Sequence, residues 1–119
     1  MKTYYLALDL KEDLVLIAEY EKWHANVWPE IKRSIIDSGI TCMEIYRTGN
    51  RLFMVIEAGE EFDFKQKAIA DRENSKVMEW EQLMWNYQQP LPWSKDGEKW
   101  MLMEQIFELN ANDFDLTTA

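Results

Sequence analysis

The middle of the chain constrains the fold most. Ile40 to Arg47 and Leu52 to Ala58 are two strand-like runs, and only Thr48-Gly49-Asn50 separates them. Gly and Asn tolerate the backbone angles of a tight reversal, so two such runs across so short a break predict a β-hairpin of antiparallel neighbours. The remaining elements fall on either side of this hairpin.

On the N-terminal side, Thr3 to Leu10 sets Tyr4, Leu6, Leu8 and Leu10 against Thr3, Tyr5, Ala7 and Asp9, which is a first strand with one strongly apolar face. Lys11 to Ala25 takes up helical spacing, with Leu14, Ile17 and Ala18 as the expected core stripe. Pro29 cannot sit in a helix interior and biases Trp28 toward extended geometry, so the helix should break after His24 and restart at Pro29. Ile31, Ile35 and Ile36 would continue the stripe until Ser38-Gly39 stops it, with Gly39 as a left-handed cap.

On the C-terminal side, Gly59-Glu60-Glu61 opens a second helical region through Phe64 and Ala68. A break near Asp71 to Asn74 follows, and Ser75 is placed to cap a helix reaching about Tyr87. Gln88 to Glu98 holds Pro90, Pro92 and Gly97 and reads as a loop carrying Trp93. Lys99 to Leu109 is a final, nearly continuous apolar strand that predicts burial on both faces. Strand, helix, strand, strand, helix, strand is the split order of a ferredoxin-like α+β fold, βαββαβ, with one antiparallel sheet and its helices on one face. Residues 1–109 would form the single domain and 110–119 a polar, frayed tail. The apolar second faces of the first and last strands predict a homodimer through the sheet face.

The chain has 119 residues, 47% of them hydrophobic, enough for one core and no second domain. Its formal net charge of -9 argues against nucleic acid and anionic membrane surfaces, both of which demand a basic footprint. A neutral ligand or a protein partner is easier to accommodate. Cys42 is the single cysteine, so no internal disulfide forms, and with His24 it makes a poor metal set; a reducing cytoplasm fits. No apolar run approaches a membrane span, and the chain is expected to be mature and soluble from Met1.

The one histidine lies in Tyr20-Glu21-Lys22-Trp23-His24-Ala25-Asn26-Val27-Trp28-Pro29-Glu30. Tyr20 and His24 are one helical turn apart, so a phenol and an imidazole point into the same space. By default a lone histidine is a surface or hydrogen-bonded residue. The spacing Tyr20-x-x-x-His24-x-x-x-Trp28-Pro29-Glu30, followed by the Ser38-Gly39 helix end and a strand, resembles the L-rhamnose mutarotase family, and the resemblance runs from about Thr3 to Leu109. It implies a fold of the dimeric α/β-barrel type. It also implies a cofactor-free isomerase in which His24 is the proton donor and Tyr20 a substrate-contacting hydroxyl.

Mutarotation opens a pyranose ring, rotates the aldehyde and closes it again, and proton transfer suffices for it. The substrate the resemblance implies is a 6-deoxy-L-hexose, L-rhamnose first, with L-fucose as the alternative. The family's substrate-contacting tyrosine on the second strand is Met43 here, and its Trp-Trp pair on the late helix is Trp80-Glu81. Trp80 would by default be a core aromatic and Glu81 a solvated charge; in the family's positions they would be a platform and a hydrogen-bonding group for the sugar. Trp28 is expected to fix the helix break, Trp85 to lie in the core and Trp93 to be a lid. A non-catalytic, small-ligand-binding module on the same fold is the reading from another class.

Overall fold

In the computed structural model, which describes residues 1–114, β1 (Lys2–Leu10), β2 (Ile40–Thr48) and β3 (Arg51–Ala58) form the body of one antiparallel sheet. The hairpin of β2 and β3 is the one predicted. Gly49, at φ +55, takes the first of its two turn positions, a backbone angle that suits glycine. β1 lies beside β3 from Lys2↔Ala58 to Asp9↔Arg51. Strand alternation then sorts the two faces. Leu6, Leu8 and Leu10 of β1 are buried with Leu52, Met54, Ile56 and Ala58 of β3. On the other face Tyr5 stacks on Phe53 with ring centroids 6.0 Å apart, and the buried carboxylate of Asp9 accepts from the Arg51 guanidinium at 2.7 Å.

The helical layer comes in two pairs. α1 (Leu14–Ala25) starts where the Asp13 carboxylate accepts from the Val15 N–H at 2.9 Å, and α2 (Pro29–Asp37) starts with Pro29 in its first turn after Trp28. The break after His24 is therefore as predicted, and Gly39 ends the pair at φ +104. The stripe differs from expectation: Leu14, Ala18 and Ile36 face solvent, and Ile17, Tyr20 and Ile31 are the buried positions. Tyr20 and Trp23 carry the inward face of α1 with Ile17, so counting from aliphatic residues alone set the stripe off by roughly a quarter of a turn.

α3 (Phe64–Arg72) is capped by Asp63, and α4 (Ser75–Trp85) by Asn74 rather than Ser75, its side-chain oxygen accepting from Lys76 and Val77 N–H at 3.1 and 3.2 Å. Trp85, expected in the core, is 39% exposed at the end of α4, with the Lys99 ammonium 4.6 Å above its ring.

Two expectations for the C-terminal part are corrected. Gln88 does not open a loop: β4 (Gln88–Gln89) pairs with β1, Leu10 opposite Gln88. The final strand is β5 (Met101–Leu102) alone, paired with Leu6 and Ala7 and followed by a bond from the Met103 N–H to the Tyr5 carbonyl at 2.7 Å. Beyond it the chain leaves the sheet, and Ile106 and Phe107 are 95% and 76% exposed instead of buried on both faces. The strand order is β2-β3-β1, with β4 and β5 both on the outer edge of β1. That is the ferredoxin-like βαββαβ order, with each helix and the last strand divided in two. Ala111–Phe114 makes a single 3-10 turn, and the rest of the expected tail, 115–119, lies outside the described residues.

Candidate active site

Between sheet and helices the buried side chains form two clusters, one around Tyr20, Trp80 and Met84, the other around Met54, Ile56 and Phe62. The gap between them is a cavity of about 230 Å³ that both clusters line. It is smaller than the roughly 300 to 1,000 Å³ of sites for drug-sized ligands, which suits a small solute. Tyr20, His24, Met43, Trp80 and Glu81, five residues named from sequence, all line it.

His24 reaches the cavity from the last turn of α1, one residue before its end at Ala25, with its ring lying back over the preceding turn. Its Nδ1 lies 3.0 Å from the Tyr20 carbonyl oxygen. A carbonyl only accepts, so Nδ1 carries the hydrogen and Nε2 keeps a lone pair. Burial pushes the imidazole pKa below its ordinary 6.5, outweighing the backbone bond that favours the charged form. His24 is thus a neutral base at pH 7. Its ring stands 4.3 Å from that of Tyr20 and 5.7 Å from that of Trp80. It also borders an outer groove beside Glu21 and Arg47.

The Tyr20 phenol is pushed up to about 12, by burial first, with the Glu81 charge adding and the Gln88 hydrogen bond opposing. It stays protonated and can donate. Trp80 is only 7% exposed, held edge-on by Trp28 at 5.1 Å and Trp23 at 6.4 Å. Trp80 is therefore both the core aromatic of the default reading and a wall of the cavity. Trp28, through that contact, does more than fix the helix break.

Glu81 is not a free solvated charge: its carboxylate accepts from the Lys99 ammonium at 2.8 Å. Met43 brings only apolar surface. Trp93 is the residue that does not join. Its ring lies 5.3 Å from the Arg51 guanidinium and is 61% exposed. Arg51 is the partner of Asp9, whose side chain alternates with Leu8 and Leu10, so Trp93 sits on the sheet face away from the cavity and does not cover it.

Sequence reading missed three contributors to the wall. Lys67 and Asp71 of α3 form an ion pair at 2.7 Å, both sides less than a quarter exposed. Their i, i+4 spacing was the available signal, obscured because Asp71 was assigned to the break between helices. Gln88 is 6% exposed and, as the direct partner of Leu10 across the ladder, faces the same side. Its amide nitrogen lies 3.5 Å from the Tyr20 hydroxyl, a long hydrogen bond, and its Oε1 has no partner among the described residues. Leaving a buried acceptor unpaired costs roughly 1 to 3 kcal/mol. No sequence signal marked Gln88, since it stood at the head of a presumed loop. Among the described residues no helix is long and apolar enough to cross a membrane.

The fold is a ferredoxin-like α+β domain of the dimeric α/β-barrel type, with a cavity on the helical side of its sheet. The family model for L-rhamnose mutarotase matches residues 3–109, and the chain belongs to that family of sugar isomerases. It is 45% identical over 105 residues to an L-fucose mutarotase of Xanthomonas campestris pv. campestris, covering 87% of this chain and 84% of the relative. A UPF0734 protein of Dictyostelium discoideum is 39% identical over 113 residues, 92% of this chain and 90% of that one. Among solved structures, the L-rhamnose mutarotase of Formosa agariphila superposes with a TM-score of 0.68 at 19% identity, over 92% of this chain and 100% of its own. Tetracenomycin F2 cyclase of Streptomyces glaucescens, a polyketide cyclase, superposes with a TM-score of 0.62 at 15% identity, over 93% and 99%. The last two likenesses are of fold alone.

Proposed function

We propose that this chain interconverts the α and β anomers of L-fucose, rather than of L-rhamnose as the sequence motif first suggests. The observation that carries this is the 45% identity, along nearly the full length of both chains, with an L-fucose mutarotase. The departures at Met43 and Glu81 are consistent with a pocket built for hydroxyls of different configuration, because a misplaced hydroxyl leaves buried polar groups unpaired.

His24 is the group that moves the proton. The Nε2 lone pair takes the anomeric hydroxyl proton as the bond from C1 to the ring oxygen breaks. The imidazolium then donates that proton to the freed ring oxygen, giving the open aldehyde. Both oxygens are bonded to C1 in the closed ring, the anomeric oxygen staying there as the aldehyde oxygen while the ring oxygen departs, so one imidazole reaches both. Rotation about C1–C2 and the reverse sequence close the other anomer. Tyr20, a phenol that keeps its proton, stabilises the developing oxygen charge by donating to it. Trp80 offers a flat apolar wall for the sugar's C–H face.

Saturation-transfer NMR of anomeric exchange tests the reading with the purified protein. Exchange accelerated more for L-fucose than for L-rhamnose is expected. The reverse preference would return the substrate to L-rhamnose, and no acceleration for either would leave a binding module.

The domain spanning 1–109 functions as a homodimer packed through the open sheet face. That face offers Tyr5 and Tyr46 to solvent, 46% and 53% exposed, and the departing arm adds Ile106 and Phe107. Sedimentation at micromolar concentration should give the mass of two chains; a monomer would refute it. The exposed free thiol of Cys42 favours a reducing, cytoplasmic setting.

A further inference from the structure

We infer that Gln88 is a further substrate-binding and specificity-determining residue, its carboxamide taking one sugar hydroxyl while it holds the Tyr20 phenol, so that Tyr20 and Gln88 grip the substrate together. The inference rests on the mutarotase reading of the cavity and extends it to a residue outside the motif.

Three observations converge on it. Gln88 is in the cavity wall, placed there by its pairing with Leu10 across the edge of the sheet. Its Oε1 is the one buried side-chain polar atom without a hydrogen-bond partner among the described residues. Its amide nitrogen approaches the Tyr20 hydroxyl at 3.5 Å, longer than the 2.7 to 3.2 Å of a settled N–H···O bond. A leucine or methionine would fill this position without an unpaired oxygen, so packing gives no reason for an amide here. If the amide is turned over, Tyr20 donates to its oxygen and the NH2 group is left without a partner. Either way one end of the carboxamide stays available, and the other ties it to a hydroxyl that already faces the site.

The grip has a chemical consequence. With the amide N–H donating to the phenol oxygen, the Tyr20 proton is left free for the substrate, and the amide oxygen is an acceptor beside it. A donor and an acceptor side by side match a sugar hydroxyl next to an ether or carbonyl oxygen. They also discriminate between epimers, because inverting one hydroxyl removes the hydrogen that Oε1 needs while leaving the acceptor buried. The rotation about the last side-chain bond that this requires is soft, since terminal amide torsions are broad.

The test compares the native protein with Gln88→Met, close in shape but lacking both polar groups, and with Gln88→Glu, which retains an acceptor oxygen. Each is measured on L-fucose and on analogues lacking the hydroxyl at C2, C3 or C4, by anomeric exchange and separately by ligand line broadening on binding. Gln88→Met is expected to keep native thermal stability and the native acid limb of the pH profile while losing roughly ten- to a hundred-fold in kcat/KM. One deoxy analogue should show a loss of the same size with the native protein and no further loss with Gln88→Met. Gln88→Glu should recover part of it. Native kcat/KM in Gln88→Met, or equal losses for every analogue in both proteins, would overturn the proposal. If Gln88→Met does not fold, the analogue series on the native protein decides alone: no single hydroxyl carrying the loss refutes it. Native protein that binds L-fucose without accelerating its exchange would defeat the mutarotase reading instead, and the binding comparison would still judge Gln88.

Discussion

The two polar stretches of the cavity wall are built on different electrostatic plans. The one carried by α1 and β4 holds Tyr20, His24 and Gln88, all neutral at pH 7 and linked through the Tyr20 backbone and hydroxyl. The one carried by α3 and α4 holds charges, and each carboxylate there is matched: Asp71 by Lys67 at 2.7 Å and Glu81 by Lys99 at 2.8 Å. A chain of net charge -9 therefore presents a cavity whose carboxylates are compensated, which a neutral sugar can enter without a desolvated charge opposing it. The neutral stretch is where protons can move, since a group already committed to an ion pair is a poor exchanger. The paired stretch is suited to fixing hydroxyls.

If that division is right, the largest loss comes from the neutral side. His24→Asn retains a group able to bond the Tyr20 carbonyl but has no basic nitrogen, so exchange catalysis should fall roughly 10²- to 10⁴-fold while thermal stability stays near native. Saturation-transfer NMR and a melting curve read the two effects. A variant retaining activity within a few-fold would move the proton transfer to the charged stretch and invert the comparison.

The pH profile examines the same residue without mutation. The acid limb of kcat/KM should lie below pH 6.5, because burial holds the His24 imidazole neutral further into acid than free imidazole. Stability follows with the same sign. Between 6.5 and the lowered folded value the unfolded chain binds a proton that the folded one does not, so stability is undiminished above 6.5 and falls as the pH drops through that window. An acid limb centred above 6.5 would mean that His24 is charge-stabilised rather than desolvated.

Tyr20→Phe removes the hydroxyl and leaves the Gln88 carboxamide without a side-chain partner among the described residues. A loss of roughly ten- to a hundred-fold in kcat is expected. The paired stretch should answer differently. In a Met43→Tyr, Glu81→Trp variant the ratio of L-fucose to L-rhamnose exchange should shift by about tenfold toward L-rhamnose, with the acid limb unmoved. An unchanged ratio would show that neither residue sets the sugar. Breaking the Lys99 pair with Glu81→Gln should change stability by no more than about 1 kcal/mol, given that both partners are partly exposed.

How much of this was legible in the sequence follows the same division. The hairpin, the Pro29 break and the Gly39 stop were readable because each depends on a local backbone constraint that one or two residues impose. That Tyr20 and His24 share one helix face was readable from their spacing, whereas their place in a candidate site, with Met43, Trp80 and Glu81, came from the family resemblance. The stripe of α1 was not readable, because its inward positions are aromatic and partly polar, and hydrophobic counting favoured Leu14 and Ala18, which face solvent. Gln88 was hidden in a proline-rich segment, where two residues suffice to pair with the edge of β1. The Lys67–Asp71 pair became part of the wall only through the packing of α3 over the cavity. The last strand failed for the opposite reason: a long apolar run predicts burial, and nothing local says that it leaves its own sheet after Leu102.

The smallest expected effect belongs to Trp93, and it separates the cavity from the far face of the sheet. A tryptophan in a turn-rich loop is a reasonable lid by sequence, yet its ring is spent on Arg51, and Arg51 is in turn held by the Asp9 carboxylate at 2.7 Å. Asp9 and Leu10 are adjacent on β1 and point to opposite sides, which puts the thickness of the sheet between Trp93 and Gln88, the partner of Leu10. Trp93→Ala should therefore leave kcat/KM within about twofold, since the contacts it removes touch no group that binds or moves a proton. Any effect should appear in self-association, because the ring sits on the face proposed for the dimer. A tenfold loss of activity with the dimer intact would show that the loop swings over the cavity during turnover, and the two faces would then be coupled rather than separate.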